Sequence, residues 1–450
     1  MSLNWSDLDW ASIGQGAVED LQQLLRIDTT NPPGRERAAA HFIAERLRED
    51  NLEPEIMESA PERANLVVRL EGSEDLAPLL ISAHTDVVPA VGDWTHPPFG
   101  GVIDDGFLWG RGAIDMKNMV IMCLWTMKLL ARMRDKLKRT IIFAAVADEE
   151  TGSHMGSHWL VDNHPEKIRA GSMITEIGGF TYHMFGRTFY PIQVAEKGQV
   201  GIEMRARGQG GHGAIPNPNS AVIQLAEAVE KLGRKPLPLH LTPVQEDFLR
   251  HLEEHLPLGI KQAFSLLQTR FADHLIKVLP DGQAGPLRAC LHNTATPTIL
   301  RAGDKENVVP AEAYAILDGR TLPGQTGEDL VRELRQVLGN HLQFSLKDEQ
   351  PPIEPDNYNT DLYQLMCDTL RRYEPSAIPV PQLLPGFTDA KAYSRLGMQC
   401  YGFTPLKLPK GISFTSLFHA ADERIPVDGF KWGVQVFTDL VASYAGIKTH

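Results

Sequence analysis

Three short segments each place a carboxylate or an imidazole at the end of an apolar, strand-like run. His84 and Asp86 follow Pro78-Leu-Leu-Ile-Ser, Asp115 follows Leu108-Trp-Gly-Arg-Gly, and Asp148, Glu149 and Glu150 follow Ile141-Ile-Phe-Ala-Ala-Val. A further acid, Glu176 in Met173-Ile-Thr-Glu-Ile-Gly-Gly, and a distant imidazole, His419 in Ser416-Leu-Phe-His-Ala-Ala-Asp-Glu, complete a mixed set of oxygen and nitrogen donors. Such a set suits two zinc-like ions and hydrolysis. That chemistry needs one anionic ligand shared by both ions, further ligands closing each ion, and an ionisable base beside the water. Strand alternation sends His84 and Asp86 to one face, so the acid can orient the imidazole. Adjacent acids on an extended backbone point apart, so Glu149 and Glu150 can divide the work, one binding metal and the other handling protons.

The elements that must position these donors are legible as periodicity. Helical spacing appears over residues 17–27 and 37–50, around the turn-rich Asp28-Thr-Thr-Asn-Pro-Pro-Gly. Residues 65–70, 79–83 and 141–147 read as strands and 119–133 as a largely apolar helix. Strands alternating with helices imply a mostly parallel sheet covered on both faces, a three-layer α/β/α catalytic domain. After Lys197-Gly198 the texture changes to strand (199–207), helix (220–232), two strands (298–300 and 311–317), helix (328–338) and strand (341–346). This is the ferredoxin-like α+β order. The expected organisation is therefore a discontinuous catalytic domain, 1–197 and 351–450, interrupted by an inserted domain over 198–350. Residues 236–288 are longer than an ordinary connection and are expected to carry extra helices.

A chain of 450 residues with 42% hydrophobic composition can bury two cores. Its formal net charge of −13 argues against nucleic-acid and anionic-membrane partners, which are held by clustered Lys and Arg. Four cysteines without close pairing indicate neither a disulfide framework nor a thiolate zinc site. Met1-Ser-Leu-Asn-Trp lacks a basic, then apolar leader, and no apolar run reaches membrane-spanning length, so a cytoplasmic protein is expected. His154 and His158 stand four apart, but Met155 occupies the position where a zinc-binding helix would carry Glu, and no role is assigned to them.

His84-Thr-Asp-Val-Val-Pro, Trp94-Thr-His-Pro-Pro-Phe, Gly110-Arg-Gly-Ala-Ile-Asp-Met-Lys and Asp148-Glu-Glu-Thr-Gly-Ser resemble the aminoacylase, acetylornithine deacetylase and glutamate carboxypeptidase family of dinuclear zinc metallopeptidases, over almost the whole chain. The resemblance implies His84 and Glu176 on one ion, Glu150 and His419 on the other, Asp115 bridging them, and Glu149 as general base. It also implies that Asp86 holds His84 in its ligating tautomer and that the Asp115–Met116 peptide is cis. The inserted domain resembles the family's lid, which implies a homodimer through that domain. There His212 would polarise the scissile carbonyl, Asn293 would contact substrate and Arg320 would bind the substrate's free carboxylate. The two divalent ions are expected to be zinc, with manganese or cobalt as alternatives.

Glu176, where dipeptidases of the family tend to carry Asp, favours small-molecule N-acyl amino acids over peptides. The alternatives are a dipeptidase or carboxypeptidase of the same fold and, in a different class, a non-catalytic metal-dependent binding protein. Three features depart from the family's usual pattern: Asn118 where Gly is common, Phe418 where Ala is common before the last ligand, and the insertion at 236–288.

Overall fold

The apolar runs that precede the candidate donors fold as strands with every residue buried. Leu79–His84 and Ile141–Val146 lie side by side and parallel. Neighbouring residues on a strand face opposite ways, so burial of all positions means that both faces of the sheet are covered. The structure is a computed structural model describing residues 4–268, 276–277 and 281–450. Its chain divides into two units, one formed by Met1–Gln193, Pro355–Val380 and Thr388–His450, the other by Val194–Glu354 and Pro381–Phe387.

A nine-stranded sheet runs in the order Glu55–Ala60, Arg63–Leu70, Ile141–Val146, Leu79–His84, Ser172–Thr175, Gln399–Gly402, Arg187–Glu196, Ile378–Leu384, with Tyr182–Met184 paired to Arg187–Glu196. The four strands from Ile141–Val146 to Gln399–Gly402 are parallel, and Arg63–Leu70 and Arg187–Glu196 join them antiparallel on either side. Parallel strands end along one edge. The register sets His84 opposite Val146 and Ile81 opposite Ile174, so the segments carrying Asp86, Glu149 and Glu176 leave the sheet from that same edge.

Helices Trp10–Leu25, Lys117–Ala131 and Val427–Tyr444 pack on one another beside the sheet. The first starts well before residue 17: Asp9 caps it by accepting the N–H groups of Ala11 and Ser12. Its glycines weaken the helical signal in the sequence, yet a Cβ on Gly16 would lie 2.6 Å from the Trp125 ring. Close packing, not propensity, decides that residue.

The second unit carries a four-stranded antiparallel sheet in the order Thr294–Ala302, Glu312–Thr321, Gly198–Arg207, Gln343–Gln350. In chain order this is the ferredoxin-like arrangement. Val200, Ile202, Met204, Ala315 and Leu317 alternate inward and pack with Leu225 of helix Ala221–Arg234 and Leu330 and Leu334 of helix Gly327–Leu338. The segment 236–288 contributes helices Pro243–His255 and Leu258–Ser265 and opens Asp281–Leu291; its residues 269–275 and 278–280 lie outside the described residues. Among the described residues no helix is long and apolar enough to cross a membrane.

Candidate metal centre

Asp115 sits at the end of a loop, not at a strand end as the sequence pattern suggests. Strand Phe107–Trp109 stops early, and the chain turns through Gly112, whose φ is +87° and whose Cβ would meet Val87 Cγ1 at 2.7 Å. A left-handed backbone pressed against a neighbour admits only glycine. Fully buried Glu423 fixes the loop by accepting from Arg111 Nη1 at 2.6 Å and from the backbone N–H groups of Gly112 (3.1 Å), Ile114 (2.8 Å) and Asp115 (3.1 Å). The Asp115–Met116 peptide is cis. Buried Lys117 then donates to the carbonyls of Leu24 (3.2 Å) and Ile27 (2.8 Å), tying the start of its helix to the end of helix Trp10–Leu25.

Glu149 and Glu150 diverge because of a turn, not because the backbone is extended. Residues Glu149–Thr151 form one 3-10 turn entered through Asp148 at φ +73°. The Asp86 carboxylate accepts the N–H of Glu149 (3.1 Å), the N–H of Glu150 (3.2 Å) and the Asn31 amide (2.8 Å). Asp148 in turn accepts from Arg63 (2.7 Å), Thr151 (2.6 Å) and the N–H of Met155 (3.0 Å). The nearest partner of His84 Nδ1 is the backbone carbonyl of Asp86 at 3.0 Å, with the Asp86 carboxylate at 3.5 Å. Main chain and side chain of one residue therefore leave Nε2 as the free face of the imidazole.

Around that face the acids converge. His84 Nε2 lies 3.2 Å from Asp115 Oδ1 and 3.9 Å from both Glu149 Oε2 and Glu176 Oε2. His419 Nε2 lies 3.2 Å from Asp115 Oδ2 and 3.1 Å from Glu150 Oε2. Two triads, His84 with Glu149 and Glu176 and His84 with Asp115 and Glu150, have donor atoms within 4.8 Å of one another. Burial pushes the Glu149 and Glu176 carboxyls well above their ordinary values, reinforced at Glu149 by Glu176 and at Glu176 by Asp115. Hydrogen bonds to Asp115 and Glu150 raise His419 to about 10.

Among the described residues, only the imidazoles pair with these four acids, and Glu150 Oε1 is buried without a hydrogen-bond partner. Carboxylates crowded and desolvated in this way need cations to stay ionised, and their oxygen and nitrogen donors fit divalent ions.

Three further expected residues lie in the second unit. His212 is exposed on the two-residue strand Gly211–His212, its Nδ1 accepting the N–H of Ala214 at 3.1 Å. Arg320 is bidentate to Asp318 at 2.8 and 3.1 Å, while its Nη1 has no partner among the described residues. Asn293 is buried with its amide committed, donating to Glu333 Oε2 (3.1 Å) and accepting the N–H of Leu322 (2.7 Å). The roles of Glu423, Asn31 and Arg63 escape sequence reasoning because their partners are remote in the chain and no local spacing marks them.

Fold and donor set together define a metal-dependent hydrolase with a second unit inserted in its chain. A solved M20 family metallo-carboxypeptidase from Sulfolobus solfataricus shares the fold, with a TM-score of 0.69 and 18% identity, covering 95% of this chain and 99% of that one. Residues 80–443 match peptidase family M20/M25/M40, and the chain belongs to that family. It is 29% identical to probable carboxypeptidase S-like 2 of Dictyostelium discoideum over 84% of this chain and 74% of that protein. It is 28% identical to human N-fatty-acyl-amino acid synthase/hydrolase PM20D1, over 83% of this chain and 75% of that protein.

Proposed function

We propose that the protein hydrolyses the amide bond of N-acyl amino acids bearing a free carboxylate. One observation carries the hydrolytic part of this reading: the two oxygens of Asp115 face separate imidazoles, His84 and His419, each at 3.2 Å; the likeness to human N-fatty-acyl-amino acid synthase/hydrolase PM20D1 favours the N-acyl substrate. A carboxylate so placed would serve as the shared ligand that a two-ion site requires. His84 and Glu176 would hold one ion and Glu150 and His419 the other, with zinc the expected metal and manganese or cobalt compatible with the same donors. When bound, the cations supply the Lewis acidity that polarises water and the scissile carbonyl.

The chain's own residues do the rest. Glu149 removes a proton from the attacking water and returns it to the departing amine nitrogen. Its carboxylate makes no hydrogen bond among the described residues, which leaves both oxygens available for that traffic. Asp86 holds His84 and the Glu149 turn in register. His212 would polarise the carbonyl, and Arg320, held by Asp318, would bind the substrate carboxylate. Asn293, the expected substrate contact, also donates to Glu333 and adjoins the strand that pairs Thr294 with Arg320.

The second reading is removal of C-terminal residues from peptides or cleavage of dipeptides, favoured by the likeness to carboxypeptidase S-like 2. Metal-reconstituted enzyme assayed against N-acyl amino acids and unblocked dipeptides separates the two. Faster cleavage of the N-acyl series is expected, and exclusive dipeptide cleavage overturns the preference. We further infer a homodimer through the second unit, where edge strand Thr294–Ala302 exposes Ile299 and Leu300. A reducing, cytoplasmic setting agrees with the lack of any disulfide among the four cysteines.

A further inference from the structure

We propose that Asp389 is a positioning residue for catalysis, holding through Ser153 and Ser157 the turn that presents Glu149 and Glu150. The inference rests on the reading of Glu149 as the base. Asp389 is 1% exposed, and its Oδ1 accepts from Ser153 Oγ at 2.8 Å and Ser157 Oγ at 2.6 Å. Its Oδ2 is buried without a hydrogen-bond partner among the described residues. A carboxylate buried with one oxygen unsatisfied is a poor stabiliser, so its placement asks for a reason other than stability.

The turn it grips needs an anchor. Asp148, Gly152 and Ser153 all lie at positive φ, with Gly152 N–H on the Glu149 carbonyl (3.0 Å) and Ser153 N–H on the Asp148 carbonyl (2.6 Å). Two of these three are not glycine, so the conformation persists only where surrounding contacts hold it. Asp86 holds the front of the turn through the N–H groups of Glu149 and Glu150; Asp389 holds the back.

Asp389 itself stands on a rigid support. It precedes helix Ala390–Ser394, whose Tyr393 hydroxyl is 3.0 Å from Ser82 Oγ on the strand that delivers His84. The strand bearing one candidate ligand and the turn bearing base and second ligand are thereby referenced to the same short helix. The negative charge of Asp389 also bears on Glu149 and Glu176.

The test is a mutant cycle on zinc-reconstituted enzyme, using the N-acyl amino acid it hydrolyses fastest, with Glu149→Gln as control. Asp389→Ala, compared at metal content per chain matched to the parent, is expected to lower kcat on the order of 10- to 100-fold, as a displaced catalytic group does, with KM close to parental. Asp389→Asn, which keeps an acceptor for the serines, is expected to recover most of the rate. On a Ser153→Ala, Ser157→Ala background, Asp389→Ala should add little, because its handles are already gone.

In metal-free protein, amide hydrogen exchange in peptides spanning 148–158 should speed up in Asp389→Ala. Equal losses on both backgrounds, an unchanged kcat in the double serine variant, or a rate loss that only tracks lost metal would overturn the proposal. Should Asp389→Ala not fold, the serine and asparagine variants decide it. If Glu149→Gln retains full rate, the base assignment falls on its own. If Glu149→Gln is inactive while the Asp389 and serine variants are unaffected, only the positioning role falls.

Discussion

The backbone N–H of Glu149 donates to Asp86 Oδ1 at 3.1 Å, so the residue that flanks the His84 imidazole also holds the turn bearing the candidate base. Removal of this carboxylate disturbs both at once. Asp86→Ala is expected to weaken metal binding about 10- to 100-fold, the usual consequence of losing a partner behind a ligand, and to lower kcat as well. Competition against a chromogenic chelator measures the first and steady-state kinetics the second. Parental metal affinity in Asp86→Ala would show that the backbone carbonyl alone orients His84.

Glu423 pairs with Arg111 in full burial and takes three backbone N–H groups of the Asp115 loop. Its replacement by Ala strands a buried guanidinium, which costs about 3–5 kcal/mol in comparable buried pairs. Urea unfolding of Glu423→Ala should show a loss of that order, and the loop carrying Asp115 should lose metal with it. A stability change below about 1 kcal/mol would contradict the anchoring role.

Burial alone would raise the Asp439 carboxyl, but hydrogen bonds from Thr449 and His450 and the charge of Arg372 hold it below its ordinary value. The folded state thus prefers the ionised form. The unfolded chain binds the proton more readily near pH 4, so the stabilisation is complete above the unfolded value and disappears as pH falls through the lower folded value. Asp439→Asn should unfold with about 1 kcal/mol less free energy than the parent at pH 7. The gap should close as pH drops below about 4, as read from urea midpoints at successive pH. A gap that widens in acid would refute the assignment.

Ile299 and Leu300 are 44% and 57% exposed on the edge strand Thr294–Ala302, and Val222 and Ile223 are exposed on helix Ala221–Arg234. Charged residues on an exposed edge oppose pairing with another chain. Ile299→Lys with Leu300→Glu should convert a dimer to monomer in sedimentation velocity without lowering the melting temperature of the monomeric unit. A parent that sediments as monomer at micromolar concentration removes the dimer.

The catalytic sheet is legible from uninterrupted apolar runs such as Ile141–Val146, because strands buried on both faces leave no polar alternation to confuse with surface. The donor set is legible for a related reason: His84, Glu149 and Glu176 each follow such a run, and parallel strands gather their ends. Helix starts are less visible. Trp10–Leu25 begins at a cap residue whose neighbours Gly14 and Gly16 mute the signal, and only the fold shows that Trp125 requires Gly16.

Long-range polar anchors leave no trace in spacing. Glu423 sits beside His419 in the sequence and reads as one more acid, whereas its partners Arg111, Gly112, Ile114 and Asp115 come from the other end of the chain. The left-handed Asp148 is equally hidden, since nothing local distinguishes an extended Asp-Glu-Glu from one wound into a 3-10 turn. Tertiary hydrogen bonds settle that choice.

The second unit also separates His419 from the other donors in time. A nascent chain delivers His84, Asp115, Glu149, Glu150 and Glu176 before the second unit, while the imidazole facing the second oxygen of Asp115 emerges only after it. Until then Asp115 has His84 on one side and lacks the partner on its other side. An ion held by Asp115, Glu150 and His419 together would therefore have to wait until the second unit has been made.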